Sequence, residues 1–133
     1  MGIRDKLDRL TARLHDAPQY NSQGAVLFVD LERRTTLKKY LPLEVMRNFL
    51  GGRGANMWLL YNLLEDERAA LDPEIPLIFG AGILTSSMPS ATRGNFSSIS
   101  PESDAILDAN GGDYFPSFLR THGYDHLVMF GRA

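Results

Sequence analysis

Hydrophobic positions near the start of the chain follow a helical period. Ile3, Leu7, Leu10 and Leu14 recur at spacings of four, three and four residues, which is the apolar stripe of an amphipathic helix. We expect this helix to dock on its own domain or on a partner subunit. The stretch DAPQYNSQG that follows contains helix-breaking residues and predicts a linker. Residues 1–23 are therefore interpreted as an N-terminal helix and linker.

The rest of the chain, residues 24–133, alternates short apolar runs with helical segments. The runs AVLFVDL and TLKKYL predict a β-hairpin, because each is rich in strand-forming residues and a turn separates them. The predicted strands are 25–31, 36–41, 77–82, 93–100, 105–109 and 125–132, and the predicted helices are 42–50, 55–67 and a short helix in DYFPSFLRTHG. Five or six strands with three or four helices indicate an α+β domain.

Composition excludes several classes of function. The 133 residues are 44% apolar, which suits a single domain with a core. A net charge of −2 gives no basic surface for nucleic acid. The absence of cysteine excludes disulfides and cysteine-bound iron–sulfur or zinc sites within this chain. No signal-like segment or membrane-length apolar run is present, so we expect a cytoplasmic protein without membrane contact.

The common catalytic motifs are missing. His122 and His126 are four residues apart, but Gly123 lies between them, so a structural role is favoured over a metal pair. There is no G-x-S-x-G elbow and no P-loop. The segment GAG after a strand is only a fragment of a dinucleotide fingerprint. No catalytic residue is therefore assigned to this chain.

Glycine clusters carry the strongest functional signal. GGRG, GAG, TRG and NGG all lie at predicted ends of helices or strands, where glycine lets backbone approach a ligand closely. Successive free N–H groups can hold an anion, and Arg93 beside Gly94 can bind phosphate through two hydrogen bonds. Asn110 adds a neutral donor and acceptor. The pattern favours a surface for a large polyanionic ligand, although any single glycine can be explained as a turn former.

The order of these motifs resembles a known family. This chain contains, in this order, FLGGRGANMWLLYNLL, IPLIFGAGILTSSMPSATRGNFSSIS and ANGGDYFPSFLRTHGYDHLVMFGRA. Their order resembles the N-terminal domain of tungsten-containing aldehyde:ferredoxin oxidoreductases, and the resemblance covers residues 24–133. It implies a β-rich base made of two packed sheets. It also implies one tungsten, or molybdenum, held between two pterins, a magnesium ion that bridges the pterin phosphates, and a [4Fe–4S] cluster nearby.

The resemblance assigns roles to four residues. Arg93 matches an arginine that contacts the cofactor, and Asn110, Gly111 and Gly112 match a segment that lines the pterin. Asn110 also inherits a magnesium ligand, through its backbone carbonyl. The chain departs from the family pattern in GILTSS, in ISPESD, and at Asp113 and Pro116, and these departures affect the substrate subgroup.

The resemblance also implies partners. The cluster cysteines and the acid–base residues of the family lie in later domains, so this segment alone is expected to be inactive and to act with further domains or subunits. The assembly would oxidise aldehydes to carboxylic acids and pass electrons to ferredoxin or a similar acceptor, as a homo- or hetero-oligomer. Two alternatives remain open: a phosphate- or nucleotide-binding module, and a structural subunit, each with the same fold and no redox chemistry.

Overall fold

A computed structural model of the chain describes residues 2–19, 23–64, 69–112 and 114–133. These residues contain four helices and six strands, in agreement with the predicted numbers. The helices are α1 (Ile3–Thr11), α2 (Leu43–Phe49), α3 (Arg53–Leu63) and α4 (Tyr114–Thr121). The strands are β1 (Ala25–Asp30), β2 (Thr35–Tyr40), β3 (Leu77–Ala81), β4 (Gly94–Ile99), β5 (Ile106–Gly111) and β6 (His126–Phe130).

The six strands form one mixed sheet in the order β2–β1–β6–β3–β4–β5. β1 and β6 are parallel, and every other neighbouring pair is antiparallel. The α+β class is therefore confirmed. The expected pair of packed sheets is wrong for the described residues, because β6 inserts between β1 and β3 and joins the two halves edge to edge.

The main core lies on one face of this sheet, under α1, α2 and α3. Val26, Phe28 and Val128 point to that face from the central strands and are at most 2% exposed. Ile78 joins the same cluster, whereas the next residue, Phe79, contacts Phe96 and Phe115 instead. Successive side chains of a strand point to opposite faces, so this alternation separates the α1–α3 face from the α4 face.

Helix α1 docks on its own domain. Ile3 and Leu10 are each 2% exposed and belong to the same apolar cluster as α3 and the sheet. Arg4 pairs with Asp30 of β1 at 3.0 Å, which fixes the helix over the sheet. The stripe that could have bound a partner is thus used within the chain. The division of the chain at residues 23 and 24 stays a prediction.

The face that carries α4 is only partly covered. The ring centroids of Phe79 and Phe115 lie 4.8 Å apart, which seats α4 on β3. Further along the sheet, Leu27 of β1 and Leu127 of β6 remain half-buried on this side. The chain therefore exposes part of an apolar sheet face. None of the helices in the described ranges is long and apolar enough to cross a bilayer.

Three predicted boundaries differ from the structure. The predicted break at NGG is wrong for Asn110 and Gly111, which remain in β5 because they pair with Asn95 and Gly94 of β4. Helix α3 begins at Arg53 and ends at Leu63, whereas we expected 55–67.

Residues 20–22 of the linker, residues 65–68 and residue 113, one of the departures from the family pattern, lie outside the described residues.

Truncating Leu10 to alanine should lower the free energy of unfolding by about 3 kcal/mol, because it removes a buried side chain and leaves a cavity where α1 packs against α3. Urea unfolding of the chain measures this. Tyr61→Ala, at an 83% exposed position on α3, is the control and should change stability by less than about 0.5 kcal/mol. Equal stability of Leu10→Ala and the unmodified chain would mean that α1 does not pack on this domain.

Candidate functional site

The four residues assigned from the family resemblance lie together at one end of the β4–β5 pair. Arg93 immediately precedes β4, and Gly94 pairs with Gly111 across the two strands. A Cβ added to Gly112 would lie 4.0 Å from Arg93 Cδ. Antiparallel pairing therefore brings together positions that are 17 to 19 residues apart in the sequence. We call this group, Arg93, Asn110, Gly111 and Gly112, the polar corner.

The backbone of Arg93 is fixed by hydrogen bonds, whereas its charged side chain is exposed. Its carbonyl oxygen accepts hydrogen bonds from Gly82 N at 3.1 Å and from Thr85 Oγ1 at 2.9 Å, which tie the start of β4 to the loop after β3. The side chain is exposed, and no described residue forms an ion pair or hydrogen bond with its guanidinium. A fixed backbone with a free cation suits the binding of an external anion.

Asn110 lies on the same side of the sheet as Arg93. Arg93 precedes Asn95 by two residues, and Asn95 pairs directly with Asn110 in the β4–β5 register. Positions two apart in an extended chain share a face, and paired positions do so as well. Both Arg93 and Asn110 are exposed. The sequence-based expectation that they share one open surface agrees with this geometry.

Behind the polar corner lies a buried polar network that the sequence analysis did not identify. Asn56 of α3 is fully buried, and its Nδ2 donates to the backbone oxygen of Asn95 at 2.9 Å. Its Oδ1 lies 2.8 Å from Nδ1 of His126, which is 1% exposed at the start of β6. The network thus connects α3 to β4 and to β6, the two strands that flank β3. It also gives hydrogen-bond partners to polar groups that would otherwise be costly to bury.

Asn95 links the buried network to side chains at the surface. Its Nδ2 donates to Asn110 Oδ1 at 2.9 Å and also to a carboxylate oxygen of Asp108. Its Oδ1 accepts from Ser97 Oγ at 2.7 Å. Asp108 is paired in turn with Arg53 at 2.9 Å, at the first turn of α3. The hydrogen bond from Asn95 and the ion pair with Arg53 lower the pKa of Asp108, so this carboxyl is ionised at neutral pH.

Gly80 makes room for this network. An ideal Cβ at Gly80 would lie 2.3 Å from Asn56 Oδ1 and 2.6 Å from His126 Nδ1. Any side chain there would displace the Asn56–His126 hydrogen bond. The segment GAG, considered above as a fragment of a nucleotide fingerprint, therefore has a local steric explanation.

The signal for this network in the sequence was weak but present. Arg93, Asn95 and Ser97 are polar residues at alternate positions of a predicted strand, which indicates one polar face. Asn56 gave no such signal, because a single polar residue in a helix is commonly exposed. His122 is exposed and bonds Phe118 O, away from the network. Within the described ranges, no group of three or more His, Cys, Asp and Glu residues could hold a metal ion.

These features define a small α+β domain with a polar corner at one end of its sheet, held from behind by buried amides. Comparison with known proteins identifies it further. Residues 26–133 match the family model of the aldehyde ferredoxin oxidoreductase N-terminal domain. The chain belongs to this family, which confirms the resemblance seen in the sequence.

Three relatives, each longer than this chain, resemble it over most of its length. It is 34% identical over 115 residues to the tungsten-containing aldehyde ferredoxin oxidoreductase of Pyrococcus furiosus, covering 86% of this chain and 19% of that protein. It is 30% identical over 117 residues to the WOR-like subunit of an aliphatic sulfonate oxidoreductase from the same organism, with the same 86% and 19% coverage. In the structure of the active-site complex BamBC of benzoyl coenzyme A reductase bound to 1,5-dienoyl-CoA, the matched chain has a TM-score of 0.79 at 28% identity.

The matched segment is a small share of each relative. The chain covers 83% of its own length in the benzoyl coenzyme A reductase comparison but only 17% of that chain. It spans about a fifth of the curated relatives. The family context is therefore that of oxidoreductases, and this segment corresponds to one domain of them.

The buried His126 should make stability depend on pH. Burial lowers its pKa from 6.5 to about 4, so the unfolded chain takes up a proton in a range where the folded chain resists it. The free energy of unfolding should be highest above pH 6.5 and decrease as the pH falls towards 4. Between pH 7 and pH 4.5 the loss from this group should be roughly 2–3 kcal/mol.

Urea unfolding at both pH values, with His126→Asn as the matched variant, isolates this contribution from the carboxylates. The asparagine keeps a donor near the position of Nδ1 but does not titrate, so its stability should fall less over the same interval. Identical pH dependence in the two proteins would mean that His126 is charged, or accessible to protons, in the folded chain.

Proposed function

We propose that this chain is the cofactor-binding part of a tungsten or molybdenum bis-pterin oxidoreductase. The full assembly would oxidise an aldehyde to a carboxylic acid and pass the electrons to ferredoxin or a similar acceptor. The observation that carries the proposal is the polar corner: a free guanidinium and an exposed amide on one face of the sheet, beside two adjacent glycines. The family match and the tungsten-containing relatives support it.

The residues present fit such a cofactor. Arg93 supplies a charged, two-pronged donor for a pterin phosphate, and nothing in the described chain competes for it. Gly111 and Gly112 carry no side chain, so a flat ring system can approach the backbone. β5 is the last strand of the sheet, so part of its backbone faces away from β4 and is free to bind.

Asn110 would hold the magnesium ion that links the two pterin phosphates. Its backbone carbonyl is the oxygen proposed for this, and a hard cation favours such a ligand. The described residues offer no acidic cluster here that would hold a divalent ion without the phosphates. We therefore expect magnesium to bind with the cofactor rather than before it.

The metal–dithiolene centre supplies the redox chemistry when it is bound. The work of this chain is to bind, orient and neutralise. Arg93 would offset the phosphate charge. The buried network behind Asn110 would hold its side chain in one orientation when the cofactor binds. The [4Fe–4S] cluster, the acid–base groups and the electron acceptor would belong to further domains or subunits, because the chain has no cysteine.

The half-covered sheet face supports the same division. Leu27 and Leu127 leave apolar surface beside α4 that further protein would bury. Subunit-type names among the relatives agree with an assembly of several parts. The cytoplasmic location and the oligomeric form stay predictions.

Replacing Arg93 with alanine should lower the tungsten or molybdenum content of the assembled enzyme by roughly tenfold or more, because hydrogen bonds to charged groups contribute about 1.5–3 kcal/mol each. Elemental analysis of purified enzyme, normalised to folded protein, measures this. Arg9→Ala is the control, since Arg9 is an exposed arginine on α1 and distant in sequence from the polar corner.

Equal metal content in Arg93→Ala, Arg9→Ala and the unmodified enzyme would rule out the proposed cofactor contact. If the purified assembly contains no tungsten or molybdenum at all but the chain binds inorganic phosphate through Arg93, the alternative of a phosphate-binding module is favoured instead.

A further inference from the structure

The hydrogen bonds behind the polar corner run in one direction, and two acceptor-only groups fix that direction. The first is the backbone oxygen of Asn95, which lies 2.9 Å from the Asn56 amide. Because a carbonyl cannot donate, the Asn56 atom facing it must be Nδ2. Asn56 Oδ1 then faces His126, so Nδ1 of that neutral ring must carry the hydrogen.

The second acceptor-only group is the carboxylate of Asp108. It is paired with Arg53 and accepts from the side chain of Asn95, so the Asn95 atom that faces it must be Nδ2. The other hydrogen on the same nitrogen points to the Asn110 side chain at 2.9 Å. Asn110 must therefore present Oδ1 inward, which leaves its own Nδ2 directed away from Asn95.

We propose that His126, Asn56 and Asn95 are positioning residues that hold Asn110 with its two side-chain N–H donors towards the ligand surface, so that the group bound there is a hydrogen-bond acceptor such as a phosphate or ring carbonyl oxygen. This inference rests on the proposed function of the polar corner. It adds the chemistry that Asn110 recognises and the residues that set it.

Burial makes this orientation hard to reverse. Asn56, Asn95, Ser97 and His126 are each at most 3% exposed, so none of them can exchange its partner for water. Rotating the Asn110 amide by 180° would place its Nδ2 against the Nδ2 of Asn95. Both groups are donors, so neither would have an acceptor there. An unsatisfied buried polar group costs about 1–3 kcal/mol, which exceeds what a surface amide gains from a free choice of orientation.

The orientation also restricts how a cation can bind. The side-chain oxygen of Asn110 accepts a hydrogen bond from the buried Asn95 and so points inward, away from the proposed ligand surface. A magnesium ion on that surface would therefore meet the backbone carbonyl of this residue rather than its side-chain oxygen. The side chain and backbone of Asn110 would then serve different parts of one ligand, an acceptor oxygen and a cation.

Hydrogen exchange of side-chain amides tests the orientation without any cofactor. In the 15N-labelled chain, the Nδ2 hydrogens of Asn56 and Asn95 should exchange at least roughly tenfold more slowly than those of Asn110, because buried hydrogen bonds must open first. Asn48, exposed on α2, is the reference for a free amide. Protected Asn110 hydrogens, with exchange as slow as in Asn95, would overturn the orientation.

Variants in the assembled enzyme test the positioning role. Asn95→Ala removes the donor that fixes Asn110 and should lower tungsten content per folded protein by roughly tenfold, with Asn48→Ala as the matched control. His126→Asn keeps a donor for Asn56 and should retain most of the metal, whereas His126→Ala should not. Thermal melting checks folding of each variant. A lower melting temperature with unchanged metal content would mean that the network is structural only.

The two proposals fail in different ways. If Arg93→Ala and Asn95→Ala both leave the metal content unchanged, the cofactor site itself is wrong. If Arg93→Ala lowers it and Asn95→Ala does not, the cofactor site stands and the positioning role is wrong. The exchange measurement uses the unmodified chain, so it decides the orientation even where a buried variant does not fold.

Discussion

The structure depends on one constraint: a line of polar side chains is buried between α3 and the sheet, and each must have a partner. Asn56 satisfies the backbone of β4 and the ring of His126 in β6, two strands that are separated by β3. The absence of a side chain at Gly80 in β3 is what allows the two groups to meet. If this contact were lost, polar groups between α3 and the sheet would be left without partners, and the polar corner would lose its support.

The sequence predicted the elements well and the network poorly, for a physical reason. Strands such as β1 and helices such as α1 are encoded by local periodicity, which needs no knowledge of neighbours. The single sheet follows from the insertion of β6 between β1 and β3, a long-range pairing that no local pattern encodes. The continuation of β5 through Asn110 and Gly111 also depends on a partner strand, so glycine-based break signals were misleading there.

The candidate site was predictable in part. Residue types and a family resemblance pointed to Arg93, Asn110 and the two glycines, and the strand register explains why these residues lie close together. Asn56 and His126 could not be found this way. Their roles arise only when a helix and a distant strand pack together, and a lone asparagine or histidine in a sequence is compatible with many environments.

A rigid support suits a ligand that is large, charged and assembled with a metal. Binding loses less free energy to ordering when the receiving side chains are already held in one orientation. Arg93 keeps its backbone fixed by the loop after β3 while its charge stays free, and Asn110 keeps its oxygen occupied while its donors stay free. In both residues, the part that the fold holds in place is separate from the part that would bind the proposed ligand. Part of the entropy cost of ordering these side chains is therefore met when the chain folds, before any ligand binds. The buried side chains that order them already have their hydrogen-bond partners.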